Sequence, residues 1–319
     1  MAQALKQRGH HVKAGYRRQA IAASEGIEPV SLDVRDAQQV LQACAGVDAV
    51  IHVAGLTGIW GSWRPYYETN VVGTENVIDA CRRQGVSKLV FTSSPSVTFD
   101  GDDQSNVNET APYPRRWLCA YPRSKAIAEQ AVLAANDEQL LTCALRPHLI
   151  WGPGDLQLVP ELVRRAAAGK LRQIGQGKNL IDATHIDNAA AAHLAALDSL
   201  VAGAPACGKA YFISQDEPVN CWDWIREVVG YFGAHLHKSP VSARVAWRAA
   251  SVFEAGYKMF RIRRQPLLTR FLVAQLSTSH YFDISAARRD LGYHPPLSMS
   301  KGLEQLAAMA AEHGSFAKS

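Results

Sequence analysis

A tyrosine and a lysine stand four residues apart, Tyr121 and Lys125, in the stretch AYPRSKAIAEQ. Pro122 belongs in the first turn of a helix, because proline lacks a backbone N–H and clashes with a preceding turn. Tyr121 is therefore predicted at a helix entrance, with Lys125 one turn further along the same face. The alternative is an ordinary i,i+4 pair on a helix surface.

Proton transfer is the chemistry open to this pair. A phenol with its ordinary pKa of about 10 is a poor acid or base at neutral pH, but a neighbouring ammonium and a cationic oxidised nicotinamide favour the phenolate. Such a tyrosine can protonate a carbonyl oxygen as hydride arrives, or take the proton back. Ser94, in VFTSSPS, is predicted at the end of a buried strand, where its hydroxyl would polarise the same oxygen. Its alternative role is a polar cap of that strand end.

The elements that must position these residues follow an alternating pattern. Apolar runs alternate with helical patterns in the first half of the chain, which predicts an α/β fold with a doubly wound, Rossmann-like parallel sheet in residues 1–150. Apolar continuity predicts strands buried on both faces. The predicted strands are 11–15, 29–32, 48–55, 88–94 and 141–147, and the predicted helices are 36–45, 64–85 and 119–136.

The second half of the chain has a mostly helical pattern. Residues 151–319 are predicted to form a smaller substrate-binding region, interleaved with the sheet edge, that closes over the crevice at the carboxyl ends of the strands. Its predicted helices lie at about 158–169, 186–202, 220–233, 241–260 and 301–312, with short strands such as AYFIS.

The chain opens with MAQALKQRGHHVKAGYRR, the pattern of a helix running into a strand. A dinucleotide fold of this kind begins with a strand, a glycine-rich turn and a helix. The sequence therefore predicts that a first strand and its phosphate-binding glycines, roughly 15 residues, are missing, and with them the N–H cradle for a pyrophosphate. The alternative is a different topology. An upstream in-frame strand followed by GxxGxxG in the encoding DNA would support the prediction, and an immediate stop codon would contradict it.

Composition predicts a globular cytoplasmic protein. With 319 residues, 47% of them hydrophobic, the chain can bury a sizeable core. It has no long uninterrupted apolar run, and its N-terminus lacks the features of a signal peptide. The six cysteines lack metal-ligand spacing, so they are predicted to be reduced core residues and no metal site is expected.

The excess of basic residues is concentrated in one segment of the chain. Residues 241–276 contain seven basic residues against one acid, a net charge of +6 within a total of +5. A general nucleic-acid binder is therefore not expected. Aromatic residues interleave with these charges, so the segment could lie on an anionic membrane surface or gather an anionic substrate. A solvated charged face is the alternative.

Several motifs in order resemble the extended short-chain dehydrogenase/reductases. They are NVVGTENVIDACR (70–82), KLVFTSSPSV (88–97), YPRSKAIAE (121–129), LRPHLIWGPGD (145–155) and HIDNAAAAHLAA (185–196). The chain is most similar to the branch that contains 3β-hydroxysteroid dehydrogenase/isomerases and bacterial 2-alkyl-3-oxoalkanoate reductases. The likeness covers nearly the whole chain, including PLLTRFLVAQLSTSHYFDISAARRDLGY near its end.

This resemblance implies roles for individual residues. Ser94, Tyr121 and Lys125 match the catalytic serine, tyrosine and lysine. The predicted cofactor-binding residues are Arg17, Arg18, Asp33, Val34, Ala54, Gly55, Asn70, Thr92, Tyr121, Lys125, Pro147, His148 and Leu149. In that set the resemblance assigns Asp33 and Val34 to the adenine, and Pro147 to Leu149 to a loop whose backbone touches the nicotinamide carboxamide. A homodimer through helices of 64–85 and 119–136 is also implied.

The residues after the second-strand pattern bear on cofactor choice. An acid at this strand end favours NAD, whereas arginine accommodates the 2′-phosphate of NADP. Here no acid follows HVKAGY, and Arg17 and Arg18 do. Guanidinium groups suit phosphate, so NADP(H) is favoured over NAD(H). A solvated turn is the alternative for the arginines, and a surface acid for Asp33.

The predicted substrate side is aromatic. Trp60, Trp63, Tyr66 and Tyr67 follow one strand, and Trp117 precedes the helix of Tyr121. Such an apolar rim suits a long alkyl or steroid ketone, although core packing accounts for part of it. The predicted substrate contacts are Thr57, Trp60, Ser94, Pro95, Trp117 and Trp151. His148 and His185 could line the site, but single histidines in apolar segments are more often structural.

The resemblance and the residues together predict an NAD(P)(H)-dependent oxidoreductase. Its substrate would be a small hydrophobic ketone or alcohol, either a 2-alkyl-3-oxoalkanoate or a 3β-hydroxysteroid. One alternative is a nucleotide-sugar epimerase of the same fold; dehydration is disfavoured because Pro95 and Ser96, not an acid, follow Ser94. The other alternative is a non-catalytic dinucleotide-fold binding protein.

Overall fold

The computed structural model of the chain describes residues 1–18, 23–262 and 264–313, except for the side chains of residues 237, 238 and 313. Arg263, part of the predicted basic segment, lies outside the described residues. The strands are β1 (Val12–Tyr16), β2 (Ile27–Ser31), β3 (Ala49–His52), β4 (Lys88–Thr92), β5 (Gln104–Val107), β6 (Leu141–Pro147), β7 (Ile150–Trp151), β8 (Arg172–Ile174), β9 (Leu180–Ile181), β10 (Thr184–His185), β11 (Lys209–Ile213), β12 (Val219–Asn220), β13 (His237–Val241) and β14 (His280–Phe282).

The predicted helices other than 64–85 agree with the structure to within a few residues, and two helices within residues 270–291 were not predicted. The described residues form twelve α-helices. They are α1 (Ala2–Gln7), α2 (Ala37–Ala43), α3 (Trp63–Tyr66), α4 (Gly73–Gln84), α5 (Ala120–Ala134), α6 (Leu158–Ala167), α7 (Ile186–Ser199), α8 (Cys221–Tyr231), α9 (Ala243–Met259), α10 (Arg270–Ser277), α11 (Ser285–Leu291) and α12 (Met299–His313). A π-helix (Tyr67–Val72) and a 3₁₀ helix (Pro95–Thr98) complete the set. None of the described helices is long and apolar enough to cross a membrane.

A parallel sheet in the order β11-β6-β4-β3 carries the site. In β4, Leu89 and Phe91 pack under α2, α4 and α5, whereas Val90 packs on the other face under α7 and α11. This alternation gives β4 and β6 two buried faces, so the predicted doubly wound fold is confirmed. The same prediction is wrong for β3, which is half-buried because it forms an edge of this sheet, and for β1 and β2, which have exposed residues.

The remaining strands form smaller sheets. β1 and β2 pair in parallel, and no ladder joins β1 to β3 within the described residues. The C-terminal half has its own core around Trp151, Trp222 and Trp224. It is also interleaved with the first half, because β11 extends the central sheet beside β6 and β14 pairs with β5.

The predicted helix 64–85 is interrupted in the structure. The chain forms α3, then a π-helical turn containing Asn70, then α4. π-turns inside α-helices are rare and frequently lie at functional sites. Here the turn places the Asn70 side chain against the loop that follows β3.

Candidate active site

The hydroxyl of Ser94 lies just beyond the carboxyl end of β4. It accepts a hydrogen bond from the Ser96 backbone N–H at 3.3 Å and lies 2.8 Å from the Ser96 hydroxyl. It therefore caps the 3₁₀ helix that follows β4, a role that was not predicted. The same hydroxyl is a neighbour of the Tyr121 phenol and lowers the pKa of that phenol. The structure thus brings Ser94 and Tyr121 together across the β4–α5 connection.

Tyr121 is the second residue of α5, and Pro122 follows it in the first turn. The predicted position at a helix entrance is confirmed. Burial raises the pKa of Tyr121, and Ser94 acts in the opposite direction. The lowering expected from Lys125 does not appear in this arrangement, because the Lys125 ammonium points elsewhere.

Lys125 is buried one turn further along α5. Its Nζ donates to the Thr92 carbonyl at 2.6 Å and lies 4.0 Å from the centre of the Phe91 ring. Burial lowers the pKa of Lys125 to about 7, while Glu129 raises it. The Thr92 hydroxyl is held by His193 at 2.6 Å. The ammonium is thus poised near neutral pH at the carboxyl end of β4.

Asn70 is a buried clamp between two parts of the site. Its side-chain oxygen accepts from the Leu56 N–H at 2.6 Å, and its amide nitrogen donates to the Leu56 carbonyl at 3.0 Å. The same nitrogen donates to the Ser124 hydroxyl at 2.8 Å, which in turn donates to the Tyr121 carbonyl. Asn70 therefore fixes the loop after β3 against α5.

That loop forms an exposed shelf beside Lys125. Ala54, Gly55 and Thr57 are exposed. A Cβ on Gly55 would come within 3.3 Å of the Asn70 side-chain oxygen and 3.9 Å of the Lys125 Nζ. Glycine leaves this space open to a ligand at the carboxyl edge of the sheet. Thr57 reaches the C-terminal half, where its hydroxyl donates to Gln157 at 3.1 Å.

The segment after β6 lies on the other side of β4 from this loop. Pro147 ends the strand, and the buried His148 bonds the Asp182 carbonyl through Nδ1 at 2.7 Å. Burial holds the pKa of His148 well below its usual range. Leu149 has a φ of 41°, a left-handed conformation that costs a branched residue about 1–3 kcal/mol. Such strain clusters at ligand-binding loops, which fits the predicted nicotinamide contact.

The predicted adenine end lies beside a surface cavity of about 430 Å³. The cavity is lined by Asp33, Arg35, Asp36, Gln39, Glu68 and Val72. Arg35 donates to both oxygens of Asp33 and lowers the pKa of Asp33 to about 2. Arg17 lies 3.9 Å from Asp33, and both Arg17 and Arg18 are exposed. The shelf, the strained loop and this cavity together fit an extended dinucleotide.

Among the predicted substrate residues, Trp60, Trp117 and Pro95 lie outside the C-terminal core, whereas Trp151 lies inside it. Trp60 joins its loop to the C-terminal half: its indole N–H donates to the Ile262 carbonyl at 3.3 Å, and its ring meets Tyr257 edge-on at 6.0 Å. Trp117 is half-buried, and Pro95 is buried as the first residue of the 3₁₀ helix. Trp151 is fully buried in the C-terminal core against Trp224, so its assignment to an accessible substrate wall is wrong.

Some predicted aromatic and histidine residues are structural. Tyr66 is buried and donates to the Trp60 carbonyl at 3.0 Å. His185 is fully buried, and its ring meets that of Trp151 edge-on. Both residues are therefore part of the core, although the buried Nε2 of His185 has no hydrogen-bond partner among the described residues.

Two buried residues and a half-buried tyrosine beside the site were missed by the sequence reasoning. Glu129 of α5 bonds Arg146 of β6 and the Tyr113 hydroxyl. Two signals could have found them: an acid one turn after Lys125 on the same helix face, and an arginine inside an apolar strand pattern. Neither residue type is usually buried without a partner.

The basic segment contains an unusual helix surface. Val245, Val252 and Met259 of α9 are 59%, 70% and 72% exposed. Their spacing of seven residues places them on one face of the helix, opposite the buried Ala246, Ala250 and Glu254. Exposed cations flank this face at Arg244, Arg248, Lys258, Arg261 and Arg264.

Comparisons with known proteins give a consistent relationship. The model of the 3-beta hydroxysteroid dehydrogenase/isomerase family matches residues 13–242. The 2-alkyl-3-oxoalkanoate reductase of Stenotrophomonas maltophilia (strain K279a) is 44% identical over 314 residues, which cover 98% of this chain and 95% of that protein. The 3beta-hydroxysteroid-dehydrogenase/decarboxylase isoform 1 of Arabidopsis thaliana is 36% identical over 92% of this chain and 69% of that protein.

Two solved structures share the fold. The crystal structure of gox2253 has a TM-score of 0.77 at 24% identity, covering 98% of this chain and 94% of that one. MoeE5 in complex with UDP-glucose and NAD has a TM-score of 0.73 at 22% identity, covering 97% and 93%. At these identities the likeness shows the fold alone.

Proposed function

The chain belongs to the 3-beta hydroxysteroid dehydrogenase/isomerase family and is an NAD(P)-dependent oxidoreductase; we propose that Ser94, Tyr121 and Lys125 are its catalytic residues and that its substrate is a hydrophobic ketone or secondary alcohol. The observation that carries this proposal is the meeting of the Ser94 hydroxyl and the Tyr121 phenol beside a buried lysine at the carboxyl end of β4. A 2-alkyl-3-oxoalkanoate is the favoured substrate and a 3β-hydroxysteroid the second, in the order of the two relatives' identities.

The proposed proton path uses the chain's own side chains. A bound nicotinamide dinucleotide supplies the hydride for reduction, or accepts it for oxidation. Ser94 donates a hydrogen bond to the substrate oxygen, and Tyr121 gives that oxygen its phenolic proton as negative charge develops there. The Lys125 ammonium, once it leaves the Thr92 carbonyl, stabilises the phenolate that remains. In the oxidative direction the phenolate takes the proton back.

The site residues fit the dinucleotide in two places. The space left by Gly55 lies beside Lys125, and Leu149 holds the strained loop on the facing side. At the other end, Asp33 borders the cavity proposed for the adenine, and Val34 follows it in the chain. Residues 1–150 would form the dinucleotide-binding part and 151–319 the substrate-binding region, with β11 interleaved into the sheet.

NADP(H) is the proposed cofactor in preference to NAD(H). Arg17 and Arg18 are exposed after β1, where a 2′-phosphate would lie, and Arg35 already neutralises Asp33. Arg17→Ala is expected to weaken NADPH binding and leave NADH binding unchanged, because only NADPH carries the 2′-phosphate. Arg83→Ala, an exposed arginine on α4, is the matched control. Binding of NADPH no tighter than NADH by titration would contradict the preference.

The epimerase alternative has weaker support. The solved structures that bind nucleotide sugars are at most 22% identical and show the fold alone. The relatives that cover most of the chain at higher identity are named reductases or dehydrogenases, which also disfavours a non-catalytic binding protein.

An activity assay tests the proposed function. NADPH oxidation by the chain should occur with long-chain 2-alkyl-3-oxoalkanoic acids and more slowly, or not at all, with ketosteroids. UDP-glucose is the control for the epimerase alternative. Absence of turnover with every ketone of the panel, under conditions where NADPH binds, would overturn the proposed substrate class.

A homodimer through α4 and α5 is proposed from the family resemblance. These helices pack against each other beside the α2 face of the sheet. Molecular mass in solution tests it: a mass of twice the chain is expected, and a monomer at micromolar concentration would contradict it.

A peripheral contact with an anionic membrane is proposed for residues 241–276. Eight of the fourteen large apolar side chains that are exposed in the described part of the chain lie between residues 245 and 267. The acid in this segment, Glu254, is buried and bound to Arg270 at 2.8 Å, so the exposed charges of α9 and the following turn are cations. Exposed apolar groups flanked by cations suit an anionic lipid surface.

The site would lie close to that surface. Trp60, on the loop beside Lys125, contacts Tyr257 and Ile262 at the end of the basic helix. A hydrophobic substrate dissolved in lipid would therefore reach the crevice over a short distance.

Sedimentation with vesicles tests the contact. Binding to phosphatidylglycerol-containing vesicles at low salt is expected, with loss of binding to neutral phosphatidylcholine and at high salt. Absence of binding to the anionic vesicles at low salt would retire this proposal. A complex between two copies through the same face would appear instead as self-association without lipid.

A further inference from the structure

A buried carboxylate stands next to the proposed catalytic pair on α5. Glu129 follows Lys125 by four residues and Tyr121 by eight, so the three share one face of the helix. Its carboxylate accepts two hydrogen bonds from Arg146, at 2.7 and 3.0 Å, and one from the Tyr113 hydroxyl at 2.7 Å. The Glu129 side chain is 0% exposed and that of Arg146 is 4% exposed.

Stability alone does not account for this ion pair. Burying two charges costs several kcal/mol, and a well-packed apolar pair of similar volume is often as stable or more so. The location of Arg146 suggests a different role. Arg146 immediately precedes Pro147, and its neighbour Leu145 accepts a 2.6 Å hydrogen bond from the N–H of Ser93. The pair therefore ties the helix of Tyr121 and Lys125 to the strand that leads into the strained Leu149 loop.

The groups that face Lys125 come from several elements. β4 contributes the Phe91 ring and the Thr92 carbonyl, which carry no charge. His52 of β3 and His193 of α7 are buried, and burial lowers the pKa of His52 to about 3 and that of His193 to about 4, so both are neutral at pH 7.

The remaining neighbours lie on α5 itself and on β6. Tyr121 is neutral at pH 7 because burial raises its pKa. Glu129 favours the charged form of Lys125, and the Arg146 guanidinium partly offsets the Glu129 charge. The protonation of Lys125 is thus set by burial on one side and by this carboxylate on the other.

We propose that Glu129 is a positioning residue that keeps Lys125 in its ammonium form, and that Arg146 and Tyr113 hold the Glu129 carboxylate in place. This inference rests on the proposed function, because it matters for catalysis only if Lys125 stabilises the Tyr121 phenolate. Glu129 acts through Lys125 and does not itself touch the reacting atoms.

The proposal is tested by two single substitutions that should shift the pKa of Lys125 in opposite directions. Glu129→Gln removes the carboxylate charge and leaves the Arg146 cation, so Lys125 should lose its proton at a lower pH. Arg146→Met leaves an unpaired carboxylate, so Lys125 should lose its proton at a higher pH. Each shift is expected to be about one pH unit. The measurement is NMR of ¹⁵N-lysine-labelled protein without cofactor, with the Lys125 signal assigned by its absence in Lys125→Met.

Two further variants keep the test informative. The double variant Glu129→Gln, Arg146→Met leaves no unpaired charge, so it is expected to fold even where a single change does not. The pKa of Lys125 should be lower in the double variant than in the wild-type protein, but by a smaller amount than in Glu129→Gln. Asp290→Asn is the matched control, because the buried Asp290 also holds a tyrosine and an arginine, Tyr211 and Arg289, but lies on α11 at the other face of the sheet.

Activity separates this inference from the proposed function. The alkaline limb of the kcat/KM profile should move to lower pH in Glu129→Gln and to higher pH in Arg146→Met, and stay in place in Asp290→Asn. Equal Lys125 titrations in the wild type, Glu129→Gln and the double variant would overturn the inference and reduce the pair to a structural clamp. Full activity in Lys125→Met would instead overturn the proposed function.

Discussion

Two helices, α5 and α9, use charge and burial in opposite ways. In α5 the charged residues Lys125 and Glu129 are buried, and each has a partner: Lys125 bonds Thr92 and Glu129 bonds Arg146. In α9 the apolar residues Val252 and Met259 are exposed on a face that has no packing partner among the described residues.

This difference suits the two helices to different roles, α5 to catalysis and α9 to association. Burial shifts the pKa of Lys125 towards neutral pH, and a shifted pKa is what proton transfer requires. Apolar groups left in water beside cations gain most from meeting an anionic apolar surface. The proposed catalytic machinery therefore lies in α5, and the proposed interface lies in α9.

Removal of the Tyr121 hydroxyl from α5 should have the largest effect on activity. Tyr121→Phe is expected to lower kcat/KM by about a factor of 10³, because the substrate oxygen loses its proton donor. Steady-state NADPH oxidation measures the loss, and an unchanged unfolding midpoint shows that the fold is intact. Activity within a few-fold of wild type would assign the proton to another group.

Removal of the Ser94 hydroxyl should cost less. Ser94→Ala leaves the proton donor in place but removes one hydrogen bond to the developing charge, so a loss of about 10² in kcat is expected. Ser96→Ala is the control, because Ser96 is the cap partner of Ser94. Equal losses in the two variants would mean that Ser94 acts by capping the 3₁₀ helix.

Acidic substitutions on α9 should weaken the proposed contact with an anionic membrane. Val252→Glu with Met259→Glu is expected to reduce anionic vesicle binding about tenfold, because both charges repel the lipid. Activity on a water-soluble ketone should not change. Val201→Glu, at an exposed apolar residue far from α9 in the sequence, is the control. Equal binding by all three proteins would exclude this face as the lipid contact.

The last expected effect is on stability. The pKa of Lys125 is about 7 in the folded protein and 10.5 in an unfolded chain, so between these pH values the unfolded state holds the extra proton. The free energy of unfolding should therefore rise with pH in this window, by at most about 1.4 kcal/mol per pH unit. Denaturant unfolding should show that Lys125→Met lacks this rise. Parallel pH curves for the two proteins would contradict a buried lysine.

Local patterns predicted most of the fold. Pro122 placed the start of α5, and the apolar runs placed β4 and β6, because both signals depend on neighbours in sequence. The π-turn at Asn70 was not predictable, since it depends on a contact with Leu56 made only in the folded chain. β3 was assigned a buried environment because its residues are apolar, yet the structure makes it an edge.

The site was predicted in part. Ser94, Tyr121 and Lys125 were predicted as catalytic residues from spacing and family resemblance. The structure brings Ser94 to Tyr121 and Lys125 to the end of β4, and their catalytic role stays a prediction. The proposed partners of Lys125 were missed, because Glu129 and Arg146 are distant in sequence and meet only through the packing of α5 on β6. Trp151 was misplaced because an aromatic residue after a strand can face a crevice or a core, and sequence does not distinguish the two. The prediction about a missing first strand stays a prediction.

Transfer of deuterium tests the central claim most directly. NADPH deuterated at the transferable position of its nicotinamide would be incubated with the chain and a 2-alkyl-3-oxoalkanoic acid, and the product examined by mass spectrometry. The proposed function predicts a secondary alcohol that carries the deuterium on its carbinol carbon, C3, and that Tyr121→Phe forms it about 10³ times more slowly. Unreacted ketone with the label still in the cofactor, while NADPH is bound, would contradict it.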